Sequence, residues 1–253
     1  MHKKPLVSVL IPFESRNAAL IRYLDSFTKQ RALMDDMYHL HGHELLEVKP
    51  VDVILDVGCA AGHFSEALAQ KSKWTIGIDI RAEALLEAKR KGLDVLMASA
   101  TFLPFKNNTF NKVSLLEVIE HLKPSEEFTC LQEIHRVLEE RGSLVFSTPN
   151  KGKLCKYIFL DPAYCITRHK HFSVREVEDI LTNAGFKIKE LYTSGGFIYV
   201  LAFYSLFWRL EAYGLLRFWP LMKSIDLLRK VSVIEFSVQK KDGCTVIACA
   251  QKK

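Results

Sequence analysis

Long apolar runs, paired cysteines, internal repeats and basic tracts are all scarce in this chain of 253 residues, and each shortage excludes something. The most apolar stretch, Phe197 to Trp208, is shorter than the roughly twenty residues that a bilayer-crossing helix needs. Six cysteines, at 59, 130, 155, 165, 244 and 249, show neither paired metal-ligand spacing nor the density of a disulfide scaffold, so reduced thiols are expected. Residues 5–13 behind His2-Lys3-Lys4 imitate a secretory leader, but the run is brief, contains prolines and meets no small-residue cleavage site. A cytoplasmic location is the expectation, with peripheral attachment to a membrane left open. The net charge of +6 favours anionic surroundings, yet lysine and arginine are scattered and never interleave with aromatics in one tract. Nucleic acid is therefore not the expected partner.

What is present suits one large core. A hydrophobic content of 49% can bury a full α/β domain. From residue 51 onward apolar strand-like runs alternate with helical ones, the pattern of a parallel sheet covered on both faces. Strands are expected at Val53 to Val57, Trp74 to Ile80, Val95 to Ala98, Lys112 to Leu116, Ser143 to Ser147, Phe186 to Tyr192 and Thr245 to Ala250. Helices are expected from Arg81 to Lys91, ending at Gly92, and from Ser125 behind Pro124 to a stop before Gly142. The spacing Ser173-Val174-Arg175-Glu176 has the form of a capping box, so a third helix should start there and end near Gly185.

The run Val53-Ile54-Leu55-Asp56-Val57-Gly58-Cys59-Ala60-Ala61-Gly62 reads as a buried strand entering a glycine turn that opens a helix, a place where backbone can approach a nucleotide-like ligand. The dinucleotide spacing Gly-x-Gly-x-x-Gly is missing, since Ala60 and His63 stand where glycines would. Asp79 ends the next strand, where a carboxylate can grip both hydroxyls of a ribose.

Together these residues resemble the class I S-adenosylmethionine-dependent methyltransferases. Further landmarks follow in order: Leu103-Pro104-Phe105, Thr109-Phe110-Asn111, Glu117-Val118-Ile119-Glu120-His121, Arg136-Val137-Leu138 with Gly142, Thr148-Pro149-Asn150, Arg168 through Ser173, and Ala184-Gly185-Phe186. The likeness covers about residues 45 to 192, and its motif pattern is similar to that of ubiquinone-biosynthesis O-methyltransferases. It implies a doubly wound, mostly parallel seven-stranded α/β sheet, a Rossmann-like methyltransferase fold with a hydrophobic insertion before the last strand. It also implies S-adenosyl-L-methionine as cofactor, held by Asp56, Gly58, Cys59, Ala60, Gly62, Asp79, Ile80, Ser99, Ala100 and Glu117. Three positions depart from the pattern. Ala60 replaces a glycine, Asn111 an aspartate, and Ser99 the acid that accepts the adenine amino group; a hydroxyl accepts more weakly than a carboxylate.

Methyl transfer to a hydroxyl needs alignment, dryness and something to loosen the proton. His121, His169 and His171 are the candidate catalytic residues. If the segment after the fourth strand turns helically, Glu117, Glu120 and His121 share one side, and with His171 they form a candidate site for Mg²⁺ or a similar divalent ion. The rival reading is a metal-free Glu-His pair that orders the loop beside the cofactor. Tyr157, Phe159, Tyr164 and Phe172 could wall an apolar acceptor pocket or serve as core.

Residues 1–48 form the expected N-terminal extension, helical from Ala18 to Leu46, although Leu6 to Pro12 with Leu24-Asp25-Ser26 looks like the opening of a family 2 glycosyltransferase. The core spans 49–192, the hydrophobic insertion 193–241 and the closing strand 242–253. Aromatic and cationic residues within 197–222 fit a lid, a membrane-surface contact or a homodimer face. The expected function is O-methylation of a small lipophilic, quinone-like or lipid-linked glycan acceptor. An RNA 2′-O-methyltransferase and a non-catalytic cofactor-sensing or membrane-binding module are the alternatives.

Overall fold

A computed structural model describes residues 45–152, 170–195 and 242–253. The expected helical extension before residue 45, the insertion between 196 and 241, and His169, Tyr157, Phe159 and Tyr164 all lie outside the described residues. Seven strands form one sheet: β1 (Val53–Val57), β2 (Trp74–Asp79), β3 (Asp94–Met97), β4 (Phe110–Leu116), β5 (Leu138–Pro149), β6 (Phe186–Ser194) and β7 (Thr245–Lys252). Their order is β3-β2-β1-β4-β5-β7-β6. All pairings are parallel except those of β7, which runs antiparallel to both β5 and β6. Helices α1 (His63–Ala69), α2 (Ala82–Arg90), α3 (Pro124–Val137) and α4 (Val174–Asn183) connect them. No helix among the described residues is long and apolar enough to cross a membrane.

The central strands are apolar because both faces are covered. Leu55, Val57, Val113, Leu115, Leu144 and Phe146 pack with Leu131, Ile134 and Val137 of α3 and Val177 and Leu181 of α4 in one buried cluster. On the other side Ile54 and Val145 meet Phe64 and Leu68 of α1 and Leu46. The α4 start follows the expected capping box. Ser173 Oγ accepts from Glu176 N–H at 3.2 Å, and Ser173 N–H donates to the Glu176 carboxylate at 2.7 Å.

One boundary differs from expectation. The helix expected to continue toward Gly142 ends at Val137, and β5 begins at Leu138. Leu138 pairs with Phe110, whereas Lys112 pairs with Ser143, so the extra residues form a bulge in which Arg141 takes a positive φ of 64°. Burial of Leu138 against the sheet outweighs the helical periodicity of the preceding residues.

The edge of the sheet where the parallel strands begin is tied by paired charges. Lys112 Nζ lies 3.4 Å from the Asp52 carboxylate and donates to the carbonyls of Leu46 and Glu47. Asn111 donates to Asp52 at 3.0 Å and accepts from Val53 N–H at 2.9 Å, a double role that its amide fills and a carboxylate could not. Lys252 is buried, donating to Asn108 and the Leu138 carbonyl at 2.8 Å each.

Candidate active site

The opposite edge, where β1, β2 and β4 end, is built from unusual backbone. Gly58, Ala60 and Gly62 have φ of 78°, 50° and 76°. A methyl at Gly58 would lie 2.3 Å from Val118 Cγ2, and one at Gly62 2.5 Å from Leu93 Cδ1, so glycine is required twice over. Ala60 holds its left-handed conformation despite carrying a Cβ, which costs roughly 1 kcal/mol. The turn folds back on β2: the N–H groups of Gly58 and Cys59 donate to the Ile78 carbonyl, and Gly62 N–H donates to the Cys59 carbonyl. These donors are thus spent within the turn, and its contribution to a ligand is close approach of backbone. The Cys59 thiol is pushed up by burial, with the charges of Asp56 and Asp79 adding to the effect, and is inert as a nucleophile.

Four carboxyl groups gather along this edge. Asp56 is 3% exposed and accepts from Ser65 Oγ at 2.6 Å and Ser114 Oγ at 2.7 Å, so it joins β1 to α1 and β4 from beneath the turn. Asp79, 6% exposed, accepts from Ala60 N–H, from Arg81 N–H and from the Arg81 guanidinium through Nε and Nη2, at 2.9–3.1 Å. Burial pushes its carboxyl up, but these donors outweigh burial and hold it below the usual carboxylate range.

Beyond Asp79, Ile80 presents a 71% exposed apolar side chain while Ala100 is buried. Ser99 Oγ lies 2.8 Å from Thr101 Oγ1 and accepts from Thr101 N–H. When Ser99 donates to Thr101, one lone pair remains for an amino group.

Glu117 and Glu120 follow β4. Glu117 has φ of 54°, donates its N–H to the Ser147 carbonyl at 3.1 Å and accepts from Ser147 Oγ at 2.9 Å. Glu120 is 5% exposed and accepts from Thr148 Oγ1 at 3.2 Å. Burial, then the neighbouring Glu117 charge, raises the Glu120 carboxyl well above its ordinary range. The two carboxyl groups are neighbours, and the charge on one disfavours ionisation of the other.

The expected metal site does not form among the described residues. Residues Ile119–His121 make a single 3₁₀ turn, which points Glu120 inward and leaves His121 exposed, so the one-sided arrangement of Glu117, Glu120 and His121 is lost. No group of three His, Cys, Asp or Glu side chains there, His171 included, is gathered closely enough to hold an ion.

His171 is half-buried and sits between two anchors. Phe172 bridges to Asn150 at the end of β5, donating its N–H to the Pro149 carbonyl at 3.0 Å. Lys170 lies 2.7 Å from both oxygens of the buried Glu127 and 4.4 Å from the centre of the Phe172 ring. Sequence reasoning missed Arg81, Ser65, Ser114, Ser147, Thr148 and the Lys170–Glu127 pair. Hydroxyls in otherwise apolar strand ends, at 114, 147 and 148, were the available signal.

Comparison with known proteins agrees with this architecture. Residues 55–146 match the family described as a methyltransferase domain. An uncharacterized protein of Methanocaldococcus jannaschii is 29% identical over 59% of this chain and 66% of its own length. The ubiquinone biosynthesis O-methyltransferase of Actinobacillus pleuropneumoniae is 30% identical over 39% of this chain and 46% of its own. The chain thus matches about half to two thirds of the length of these relatives. The crystal structure of an S-adenosylmethionine-dependent methyltransferase from Thermotoga maritima shares the fold, with a TM-score of 0.63 and 17% identity over 93% of this chain and 99% of that one. The glycine turn, the strand order and the matched stretch together make residues 55–146 of this chain similar to a methyltransferase domain.

Proposed function

We propose that this chain transfers the methyl group of S-adenosylmethionine to an oxygen of a small lipophilic acceptor, of quinone-like or lipid-linked glycan type. The observation that carries the reading is the placement of two carboxyl sites on either side of one glycine turn. Strand order β2-β1-β4 sets Asp79 and Glu117 at the ends of the strands flanking Gly58–Gly62. That crevice suits an adenosyl ligand with a hydroxyl-rich middle and a cationic end.

In this reading Asp79 accepts the ribose hydroxyls, Ile80 and Ala100 border the adenine, and Ser99 accepts its amino group. The Gly58–Gly62 turn lets the methionine moiety lie against backbone, and ionised Glu117 accepts from its ammonium group. Protonated Glu120, beside Glu117 and Thr148, keeps a second charge out of the buried corner. The bound cofactor supplies a methyl group already activated by its sulfonium, so the chain's own residues align the acceptor and exclude water. His171, held between Lys170 and Phe172, takes the acceptor's proton. The lipophilic acceptor is supported by the name of the ubiquinone-biosynthesis relative and by the aromatic and leucine-rich sequence at 197–222, which also suits contact with a membrane surface.

The test is methyl transfer from labelled cofactor to quinol, lipid, glycan and RNA fractions, with and without chelator. Label in a quinol, lipid or glycan fraction, insensitive to chelator and lost in Asp79→Asn, is the expected result. Label confined to RNA would overturn the acceptor assignment.

A further inference from the structure

We infer that Arg81 is an internal competitor for the cofactor, its guanidinium occupying the oxygens of Asp79 that the ribose hydroxyls must take. The inference rests on the function proposed above and concerns the same crevice. A carboxylate offers about four acceptor positions. At Asp79 all four are filled: Arg81 N–H at 2.9 Å and Nε at 3.1 Å meet Oδ1, while Ala60 N–H at 3.0 Å and Nη2 at 3.1 Å meet Oδ2.

These donors are not equally replaceable. Ala60 N–H is fixed by the left-handed turn, and Arg81 N–H by the entry into α2, where Arg81 is the N-cap residue with φ −95° and ψ 106°. The guanidinium alone sits on a rotatable chain, and that side chain is 47% exposed, so its path to solvent is open. Glu83, in the first turn of α2, already acts electrostatically on Arg81 and offers it another carboxylate. Binding a diol therefore exchanges two N–H···O bonds on Asp79 for two O–H···O bonds and releases Arg81, one bond on each oxygen. The backbone pair stays in place and keeps the carboxylate aimed.

Arg81 is on this view a residue that lowers affinity for every ribose-bearing ligand and makes it depend on salt. Calorimetry with S-adenosylhomocysteine on the full chain tests it. Arg81→Met should bind roughly fivefold more tightly than wild type at low salt, the scale of a half-exposed guanidinium–carboxylate pair. The gain should vanish at 1 M NaCl, where wild-type binding tightens because the pair is screened. Arg81→Lys keeps the charge without the fork, should gain less, and stands in if the methionine variant does not fold. Equal or weaker binding by folded Arg81 variants, or a gain indifferent to salt, overturns the competitor role. If wild type and Arg81 variants bind and Asp79→Asn does not, the function reading survives that failure. If no variant binds any adenosyl compound, both fall.

Discussion

The two edges of the sheet use their polar groups oppositely. Where the parallel strands begin, Asp52, Asn111, Lys112 and Lys252 pair opposite charges or donate to carbonyls across elements that must stay together. Where the strands end, Asp56, Asp79, Glu117 and Glu120 gather acidic side chains around backbone with positive φ. The first edge stabilises the fold. The second concentrates strain and negative charge in a crevice that suits a cation.

The largest break in that contrast should come from Asp52→Ala. It leaves the partly buried Lys112 without its carboxylate and Asn111 without its acceptor, a loss of about 2 kcal/mol of stability by urea unfolding. Affinity for adenosyl compounds per folded molecule should be unchanged, because the crevice lies at the other edge.

Next in size is Glu120→Gln. The folded Glu120 carboxyl titrates above its ordinary range, so its contribution to stability is fully present below the ordinary carboxylate pKa and is lost as pH rises toward the folded value. Glutamine mimics the protonated form, so unfolding midpoints measured as pH rises above the ordinary carboxylate range should show a shallower decline in the variant.

The smallest effect sharpens the comparison. Ala60→Gly removes the left-handed penalty in the turn, roughly 1 kcal/mol, and returns part of it as unfolded-chain entropy. A net gain of about 0.5 kcal/mol by thermal unfolding is expected. A loss would mean that the alanine methyl packs usefully and that the turn is not strained.

Much of the fold was legible because its signals are local. Apolar runs located all seven strands, Gly92 and Gly185 marked helix ends, and the Ser173–Glu176 box located a helix start that both hydrogen bonds bear out. The site was legible in part. The glycine turn and Asp79 could be read from spacing, since backbone conformation and strand ends follow from sequence order. The Glu117-Glu120-His121 grouping could not, because a 3₁₀ turn in place of an α-turn sends Glu120 inward to Thr148, a residue from the next strand. The end of α3 failed for a related reason, since Leu138 is claimed by pairing with Phe110, distant in sequence.

By itself the sequence determined the alternation of strands and helices, the turn after β1 and the identity of the acids at the strand ends, because periodicity and glycine conformation act over a few residues. Only the tertiary structure decided which of those acids are tied beneath the turn, which is buried beside another and which carries an arginine across its face. Those outcomes depend on partners such as Ser65, Ser114, Ser147 and Thr148, which meet the acids only after parallel strands have paired across the sheet.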